Sequence, residues 1–194
     1  MNIINVGYDS TNYYVLEQNG VRLLVDVGWP GTLAKLQASL KHKSLSIGEI
    51  SWLWVTHYHP DHAGLVQEFK DLGVKHLLLH EQLPAVTQLK NYMKPTSSYV
   101  EIRVQGSLVL ATAESRTWLK KLGLAGEMIP TPGHSYDSIS LVLDEGIAFT
   151  GDLLPPALAT EEHAAEIKAS WDRLGSLHAR TIYPGHGPVR PIPG

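Results

Sequence analysis

The sequence contains no cysteine, and this absence excludes several kinds of chemistry at once. A chain without thiols forms no disulfides, holds no metal through thiolates and uses no cysteine nucleophile. Any metal ion bound by this chain must therefore be held by nitrogen and oxygen atoms.

The chain also lacks a bias of charge. Its 194 residues include 16 Lys and Arg against 19 Asp and Glu, which gives a formal net charge of -3. The basic residues form no cluster, so there is no electrostatic case for general binding to nucleic acids or to membrane surfaces. We expect a small-molecule substrate rather than a nucleic acid.

Long apolar runs are missing as well. No stretch approaches the length of a membrane-spanning helix. The N-terminal residues lack the charged start and the apolar run of a signal peptide. We therefore expect a cytoplasmic protein with no membrane association, and the sequence leaves its oligomeric state open.

The apolar periodicity predicts one α/β domain over residues 1–194. Strands are predicted at residues 12–16, 21–25, 50–55, 75–79, 99–104, 108–111, 128–129, 139–143, 147–150 and 181–183. Helices are predicted at residues 32–41, 64–72, 84–93, 114–122 and 160–177. Three neighbouring strand pairs are predicted as hairpins: 12–16 with 21–25, 99–104 with 108–111, and 139–143 with 147–150. This order favours mixed sheets covered by helices.

The most informative stretch is residues 56–62, which contains the pattern His-x-His-x-Asp-His. It follows residues 50–55, whose β-branched and aromatic side chains predict a buried strand. Pro60 and Gly64 mark the change from strand to loop. Because imidazole and carboxylate groups suit Zn, Fe and Ni, the pattern predicts a metal site rather than a histidine-rich surface loop.

Three later segments share one arrangement, in which a predicted strand ends, small or rigid residues follow and a metal-binding side chain comes next. The segments are Pro132-Gly133-His134, Thr150-Gly151-Asp152 and Pro184-Gly185-His186. Glycine permits close backbone approach and proline restricts the chain, so each segment can hold its side chain still. Together with the first motif, the candidate metal ligands are His57, His59, Asp61, His62, His134, Asp152 and His186.

This set of candidate ligands is larger than one metal ion needs. A tetrahedral zinc with one open position takes three protein ligands, whereas two ions about 3.5–4 Å apart can share a water and lower its pKa. We therefore expect two divalent ions, most simply zinc, with iron or manganese as alternatives. Asp26, at the end of a predicted strand, either supports the site or caps a turn. The remaining histidines are predicted to be ordinary surface or hydrogen-bonded core residues: His42, His76, His80, His163 and His178.

These segments, in this order, resemble the metallo-β-lactamase-fold hydrolases. The resemblance extends over nearly the whole chain, from Asp26-Val27-Gly28 to Pro184-Gly185-His186-Gly187-Pro188. It implies an αββα sandwich, that is, two mixed β-sheets flanked by helices, with the metals at one edge. By the same resemblance, one metal is held by His57, His59 and His134. The other is held by Asp61, His62 and His186, with Asp152 as the bridge.

Differences from individual branches of this family narrow the expected activity. Antibiotic-hydrolysing members typically have cysteine or serine in place of Asp152, so true β-lactamase activity is not expected. His59 argues against the flavodiiron branch, where glutamate is usual, and Pro155 stands where acyl-homoserine lactonases have a tyrosine. The chain ends soon after His186, so we expect no glutathione-binding domain of the glyoxalase II type. We also find no RNA-binding insertion of the tRNA-processing nucleases.

The ligand set and the resemblance together lead to a mechanistic hypothesis. Two metals hold a bridging hydroxide that attacks a carbonyl or phosphoryl centre, and Asp61 orients it and moves its proton to the leaving group. Three classes stay open. The first is a hydrolase of a small-molecule ester, thioester or lactone, and the second is a phosphodiesterase or nuclease. The third is non-hydrolytic: a mononuclear-iron sulfur dioxygenase or a metal-binding protein without activity.

Three stretches are expected to overhang the site: residues 8–14, 90–99 and 153–159. The last is apolar and follows Asp152, so Leu153 and Leu154 are candidates for lining an acyl pocket, unless they pack under the final helix. Tyr136 is a candidate hydrogen-bond donor to a developing oxyanion, with a structural role as the alternative. The sequence does not define the natural substrate, the bond class or the metal used in the cell.

Overall fold

A computed structural model describes residues 1–193 of the chain. The strands are β1 (Asn2–Asn5), β2 (Tyr14–Gln18), β3 (Val21–Val25), β4 (Trp52–Trp54), β5 (Lys75–Leu79), β6 (Leu108–Leu110), β7 (Gly126–Pro130), β8 (Ile139–Leu143), β9 (Ile147–Gly151), β10 (Thr181–Pro184) and β11 (Arg190–Pro191). The α-helices are α1 (Leu33–His42), α2 (Pro60–Ala63), α3 (Val66–Asp71), α4 (Leu83–Gln88), α5 (Ser115–Lys121) and α6 (Ala164–Ser176).

The strands form two mixed sheets, each with an antiparallel and a parallel part. In the 6-stranded sheet the order is β1-β2-β3-β4-β5-β6. The first three strands of this sheet run antiparallel, and β3 to β6 are parallel neighbours. In the 5-stranded sheet the order is β11-β10-β9-β8-β7, with a parallel pairing only between β9 and β10.

Alternation along the strands explains how the two sheets pack. In β3, Leu23 and Val25 belong to the apolar cluster between the sheets, whereas Leu24 faces the outer cluster with α1 and α3. In β8, Leu141 lies between the sheets and Val142 faces α6. Successive side chains of a strand point to opposite faces, so strands with apolar residues at consecutive positions indicate sheets covered on both sides. The layers are therefore helix, sheet, sheet and helix, which confirms the predicted αββα sandwich.

Most predicted elements are present, with shifted ends. Two of the three predicted hairpins form, β2 with β3 and β8 with β9. The helix predicted at residues 84–93 is α4 followed by a 3₁₀ turn at Leu89–Tyr92. The strands β1 and β11 were not predicted. Both are short edge strands that are exposed or half-buried along their length, and they show little alternation of apolar residues.

The third predicted hairpin is wrong. Residues 99–104 form no strand, and β6 pairs in parallel with β5 instead. Side chains satisfy the backbone here, since Gln67 Oε1 accepts the Arg103 amide at 2.9 Å and the Lys70 ammonium donates to the Arg103 and Gln105 carbonyls. With these groups occupied, the segment needs no partner strand.

The two sheets meet at the edge where β4, β7, β9 and β10 end. The Ile139 amide at the start of β8 donates to the Thr56 carbonyl after β4 at 2.9 Å, and the Asn12 amide donates to the Gly185 carbonyl at 2.7 Å. These bonds hold the loops of both sheets together at one edge. Among residues 1–193, no helix combines the length and the apolar character that crossing a membrane requires.

Candidate metal centre

The motif after β4 is partly helical rather than a plain loop. His57 follows the strand, His59 is the N-cap residue of α2 in extended conformation, and Pro60 occupies the first helical turn. Proline is favoured there because its missing N–H would be unpaired in any case. The single turn of α2 carries Asp61 and His62, so the strand end and the helix present their side chains to one place.

The other three predicted ligands follow strands of the second sheet. His134 comes after β7, Asp152 directly after β9 and His186 after β10. All seven predicted side chains come together at the edge where the two sheets meet, in two neighbouring groups of donor atoms.

The first donor group contains His57, His59 and His134, whose donor atoms lie within 4.8 Å of one another. The His134 Nε2 and His59 Nδ1 atoms are 2.9 Å apart. His57 is fully buried, and its Nε2 atom has no hydrogen-bond partner in the described part of the chain. This group is made of imidazole alone.

The second donor group contains Asp61, His62, Asp152 and His186, also within 4.8 Å of one another. His186 Nε2 lies 3.1 Å from Asp61 Oδ2 and 3.3 Å from Asp152 Oδ2. His62 Nε2 lies 3.3 Å from an oxygen of each aspartate, although neither contact has hydrogen-bond geometry. Two carboxylates thus face two imidazoles.

Asp152 links the two groups. Its Oδ2 atom is 3.6 Å from His134 Nε2 of the first group and 3.3 Å from His186 Nε2 of the second. A carboxylate in this position can ligate on both sides, which is the geometry that the bridging prediction requires.

Groups behind the ligands fix how the imidazoles are turned. Asp26 Oδ2 accepts hydrogen bonds from Thr56 Oγ1 and, at 2.9 Å, from His62 Nδ1. The Ser10 carbonyl accepts a bond from His186 Nδ1 at 2.7 Å. Because Nδ1 donates in both rings, Nε2 is the nitrogen that faces the centre. Of the two predicted roles of Asp26, the structure shows the supporting one.

The two groups differ in electrostatics. Burial holds the pKa of His57 well below its ordinary value, and burial also lowers the pKa of His134. In the second group, the neighbouring carboxylates of Asp152 and Asp61 raise the pKa of His186 to about 10. Burial alone would raise the pKa values of Asp61 and Asp152, but their contacts with His186 and His62 outweigh burial and lower both pKa values. The neutral imidazole is therefore favoured at His57 and His134, whereas His186 faces two ionised carboxylates.

Several buried atoms of the centre lack partners in a way that metal ligation would resolve. The Nε2 atoms of His57 and His62 and the Oδ1 atom of Asp152 are buried without a hydrogen bond to any residue in the range 1–193. Unpaired buried polar atoms cost about 1–3 kcal/mol each. The donors are nitrogens and carboxylate oxygens, which suit zinc, iron or manganese. The residues present fit the predicted metals.

Glycine is required where the loops approach the ligands. A Cβ atom at Gly185 would lie 2.4 Å from Asp152 Oδ1 and 2.7 Å from His62 Cε1. At Gly151, where φ is +52°, it would lie 2.5 Å from Thr56 Oγ1. Glycine precedes Asp152 and His186 in the sequence because the centre leaves no room for a larger side chain at these two positions.

Two cavities open beside the centre. The first has a volume of about 220 Å³ and contacts both donor groups through His134, Asp152 and His186. Its remaining walls are Gly151, Leu153, Leu154, Pro155, Leu158, Pro184 and Arg190. The second, of about 170 Å³, is more polar and lies on the other side of His134, with Tyr58, His59, Ala85, Gln88, Tyr92, Ser135, Tyr136 and Asp137 as its walls.

The three predicted substrate residues all lie beside the centre. Leu153 and Leu154 line the first cavity, and Leu153 also packs under α6, so both predicted roles of this stretch are present. Tyr136 lines the second cavity, is 58% exposed, and its hydroxyl donates to Gln88 Oε1 at 3.1 Å. Tyr136 stands at the rim with its hydroxyl already bonded.

Other residues of the site carried no readable signal in the sequence. The buried Asp137 accepts the Tyr58 amide at 2.7 Å, and Gln82 Nε2 donates to the Val55, Thr56 and Asp137 carbonyls. Thr11 Oγ1 donates to Asp61 Oδ2 at 3.2 Å. Asp137 is three positions after His134, but Gln82 and Thr11 are brought to the site only by the fold.

Comparison with known proteins agrees with this architecture. A "Beta-lactamase-like protein 2 homolog" of Caenorhabditis elegans is 27% identical over 92% of this chain and 56% of its own length. An "Atrochrysone carboxyl ACP thioesterase" of Aspergillus fumigatus is 31% identical over 92% of this chain and 51% of its own. The chain therefore spans about half the length of these curated relatives. A probable metallo-hydrolase of Methanocaldococcus jannaschii is 27% identical over 76% of this chain and 68% of its own.

Solved structures show the same fold. A metallo-beta-lactamase family protein from Thermus thermophilus superimposes with a TM-score of 0.75 at 24% identity, over 98% of this chain and 74% of that one. The metallo-beta-lactamase MIM-1 from Novosphingobium pentaromativorans superimposes with a TM-score of 0.70 at 19% identity, over 95% and 73%. The sequence profile of the metallo-beta-lactamase superfamily matches residues 6–186, from the loop before β2 to the last predicted ligand. The chain belongs to the metallo-beta-lactamase superfamily.

Proposed function

We propose that this protein is a metal-dependent hydrolase of ester-type bonds and that its substrates are thioesters. The observation that carries the proposal is the pair of donor groups joined by Asp152 at one sheet edge. The proposed ligands of one metal are His57, His59 and His134. Those of the other are Asp61, His62 and His186, with Asp152 shared and zinc as the ion in both places.

The named relatives support the ester-type reaction. Relatives from Aspergillus fumigatus and Emericella nidulans carry the name thioesterase and are 31% and 28% identical to this chain. The apolar cavity beside Asp152 suits an acyl group, because ligand pockets are mostly apolar with a few polar groups that fix orientation.

When bound, paired divalent ions supply a Lewis acid and a water whose pKa is lowered toward neutrality. Asp61 is ionised, since His186 and His62 lower the pKa of its carboxyl. Its Oδ2 is fixed by Thr11 Oγ1 at 3.2 Å and by His186 Nε2 at 3.1 Å. In this position the carboxylate orients the attacking water and accepts its proton.

The leaving group explains the preference for thioesters. A thiol has a pKa of about 8.5, so a thiolate departs near neutral pH with little help from an acid. Asp61, with its lowered pKa, is deprotonated near neutral pH and therefore seldom carries a proton that it could give to a leaving group. An alkoxide leaving group would need a donor that stays protonated near neutral pH, and the described residues lining the two cavities include no lysine.

The test is a substrate panel with the zinc-loaded protein. Acyl thioesters, lactones and bis-p-nitrophenyl phosphate are offered at equal concentration, and metal content is measured both on the protein as purified and after zinc is added. We expect two zinc ions per chain and thioester hydrolysis fastest. Hydrolysis of the phosphodiester alone would overturn the proposal in favour of a phosphodiesterase, and a single iron with no hydrolysis would favour a dioxygenase.

The role of Asp61 is tested by Asp61→Ala, with Asp172→Ala on the exposed face of α6 as the matched control. We expect Asp61→Ala to abolish turnover and Asp172→Ala to leave it unchanged. Full activity of Asp61→Ala with both metals retained would refute the assignment.

A further inference from the structure

The feature that the proposed reaction does not use is Arg190 at the wall of the first cavity. Its side chain is half-buried, and β11 holds its backbone by pairing with Ile182 of β10. The Nε atom of Arg190 is buried and makes no hydrogen bond to the described residues, 1–193. A cation is thus presented to a small cavity beside the metal ligands.

The Nε atom of Arg22 is also buried without a partner, but the guanidinium groups of the other arginines are engaged elsewhere. Arg22, Arg103 and Arg116 form ion pairs with carboxylates. Arg173 and Arg180 donate to the carbonyls of Pro130 and Glu145. Among the arginines of residues 1–193, only Arg190 has a side chain that forms neither an ion pair nor a hydrogen bond.

The carboxylate nearest to Arg190 in the cavity wall is already engaged. Asp152 lines the same cavity, but its oxygens face His62, His134 and His186 at 3.3, 3.6 and 3.3 Å. The apolar part of the wall comes from Leu153, Leu154, Pro155, Leu158 and Pro184. The described residues give the Arg190 guanidinium no anionic partner, and an anion on a bound ligand would supply one.

The geometry points to Arg190 as the residue that binds a carboxylate at the far end of the substrate's acyl group. This inference rests on the proposed thioesterase function and names its substrate class, a short thioester whose acyl chain ends in a carboxylate. The planar guanidinium matches a carboxylate with two parallel hydrogen bonds. The aliphatic side chains that line the same cavity as Arg190 and Asp152 are suited to the methylene groups, with the thioester carbonyl at the metal ligands.

The size of the cavity limits the length of the acyl chain. Its volume of about 220 Å³ is below the range of about 300–1,000 Å³ that drug-sized ligands occupy. A four- or five-carbon dicarboxylic acyl group is therefore the expected scale, and long fatty acyl chains are not. The thiol part of the substrate then lies on the other side of the centre, towards the second and more polar cavity.

The test compares two thioesters that differ only in the terminal charge, succinyl and butyryl N-acetylcysteamine, with the zinc-loaded protein. Charged hydrogen bonds contribute about 1.5–3 kcal/mol, which corresponds to about 10- to 100-fold in binding. We expect Arg190→Gln to lower kcat/KM for the succinyl thioester by about 10- to 100-fold and to change that for the butyryl thioester less than about twofold. Arg190→Lys keeps the positive charge but loses the planar guanidinium, so its kcat/KM for the succinyl thioester should lie between those of the parent and Arg190→Gln.

Two controls identify the source of the charge effect. Lys120→Gln removes an exposed cation of α5 outside the cavity and should leave both rates unchanged. Acetyl-CoA and acetyl N-acetylcysteamine differ in phosphates on the thiol side, so an Arg190→Gln effect confined to acetyl-CoA would show that Arg190 binds the leaving group and would overturn the inference. Equal loss with the succinyl and butyryl substrates, or no loss with either, would overturn it too.

A binding measurement separates this inference from the proposed function. Ketone analogues, in which a methylene replaces the thioester sulfur, are titrated into the protein while the Arg190 Nε–H resonance is followed, assigned by its absence in Arg190→Gln. A shift with the succinyl analogue and none with the butyryl analogue supports the role of Arg190 even if no thioester is hydrolysed. Hydrolysis of both thioesters without any shift would leave the thioesterase proposal standing and refute the role of Arg190.

Discussion

Two buried histidines of this protein show what distinguishes a candidate ligand from a core residue. His57 and His76 are both almost inaccessible to solvent, at 0% and 1% exposure. Both ring nitrogens of His76 are hydrogen-bonded, to the Tyr58 hydroxyl at 3.1 Å and to Ser107 Oγ at 2.9 Å. His57 bonds only through Nδ1, to Thr56 Oγ1 at 3.1 Å, and its Nε2 has no partner in the described chain. Burial alone therefore does not mark a candidate ligand, and the unpaired ring nitrogen of His57 is what separates these two histidines.

The largest expected effect comes from exchanging the two histidines one at a time for glutamine. His57→Gln should lose the metal of the first group and lower kcat/KM about a thousandfold or more, because Lewis-acid stabilisation contributes several kcal/mol. The free energy of unfolding of the metal-free protein should change little, since Nε2 forms no bond there. Metal content is measured by elemental analysis and kcat/KM by turnover assays. The free energy of unfolding is measured by urea titration in the presence of a chelator.

His76→Gln is the matched control, and it should keep both metals and most of the activity. Instead, it should lower the free energy of unfolding by about 1–3 kcal/mol, because a buried hydroxyl partner is left unpaired. If His76→Gln lost metal while His57→Gln lost only stability, the distinction drawn from the unpaired nitrogen would be wrong.

A second test concerns how the ring of a candidate ligand is held. Asp26→Asn keeps an acceptor for the Thr56 amide and suits the positive φ of 64° at this position. It weakens the bond from His62 Nδ1, so we expect metal affinity of the second group to fall about 10- to 100-fold. Competition with a zinc chelator measures the affinity. Equal affinity in Asp26→Asn and the parent would show that His62 needs no support from Asp26.

The third test uses pH and the core histidine. Burial and the nearby Lys70 lower the pKa of His76 to about 3, from an ordinary value of 6.5. Between these values the unfolded chain binds a proton at this residue and the folded protein does not. Stability contributed by neutral His76 is therefore complete above pH 6.5 and falls as the pH drops, by about 1.4 kcal/mol per pH unit.

Urea unfolding of the metal-free protein at several pH values between about 7.5 and 5 measures this slope. Other titrating groups contribute equally to parent and variant, so the difference between the parent and His76→Gln isolates His76. The same slope in both proteins would contradict the neutral state of the buried ring.

The smallest expected effect is at the rim of the site, where side chains are exposed rather than buried. Tyr136→Phe removes a hydroxyl that is already bonded to Gln88. We expect kcat/KM to change less than about threefold, within the range of one exposed neutral hydrogen bond. A loss of about a hundredfold, the scale of an oxyanion donor, would instead assign Tyr136 to catalysis.

The candidate ligands were predictable because each follows a strand end marked by glycine or proline, a pattern that is local in the sequence. His134, Asp152 and His186 were found in this way, and the structure brings them to the first motif. The layers were predictable from the order of strands and helices and from the family resemblance, and strands with consecutive apolar residues, such as Leu23, Leu24 and Val25, agree with sheets covered on both faces.

Other features depended on contacts between distant residues and carried no local pattern. Residues 99–104 have the composition of a strand, yet Gln67 and Lys70 satisfy their backbone and no strand forms. Arg190 is one cation among many in the sequence, and only its place beside Asp152 and its missing partner among residues 1–193 single it out. Hydrogen bonds between residues that are distant in the chain leave no local pattern, so they could not be predicted from the sequence.

The meeting of the two sheets at the metal centre has a consequence for folding. His57, His59, Asp61 and His62 come from the first sheet, whereas His134, Asp152 and His186 come from the second. A metal that needs ligands from both binds the docked sheets and not the separated ones, so its binding free energy adds to docking. If the chain were divided between β6 and β7, the two fragments would bind each other more tightly in the presence of zinc than in its absence. The metal would then stabilise the contact between the two halves of the chain.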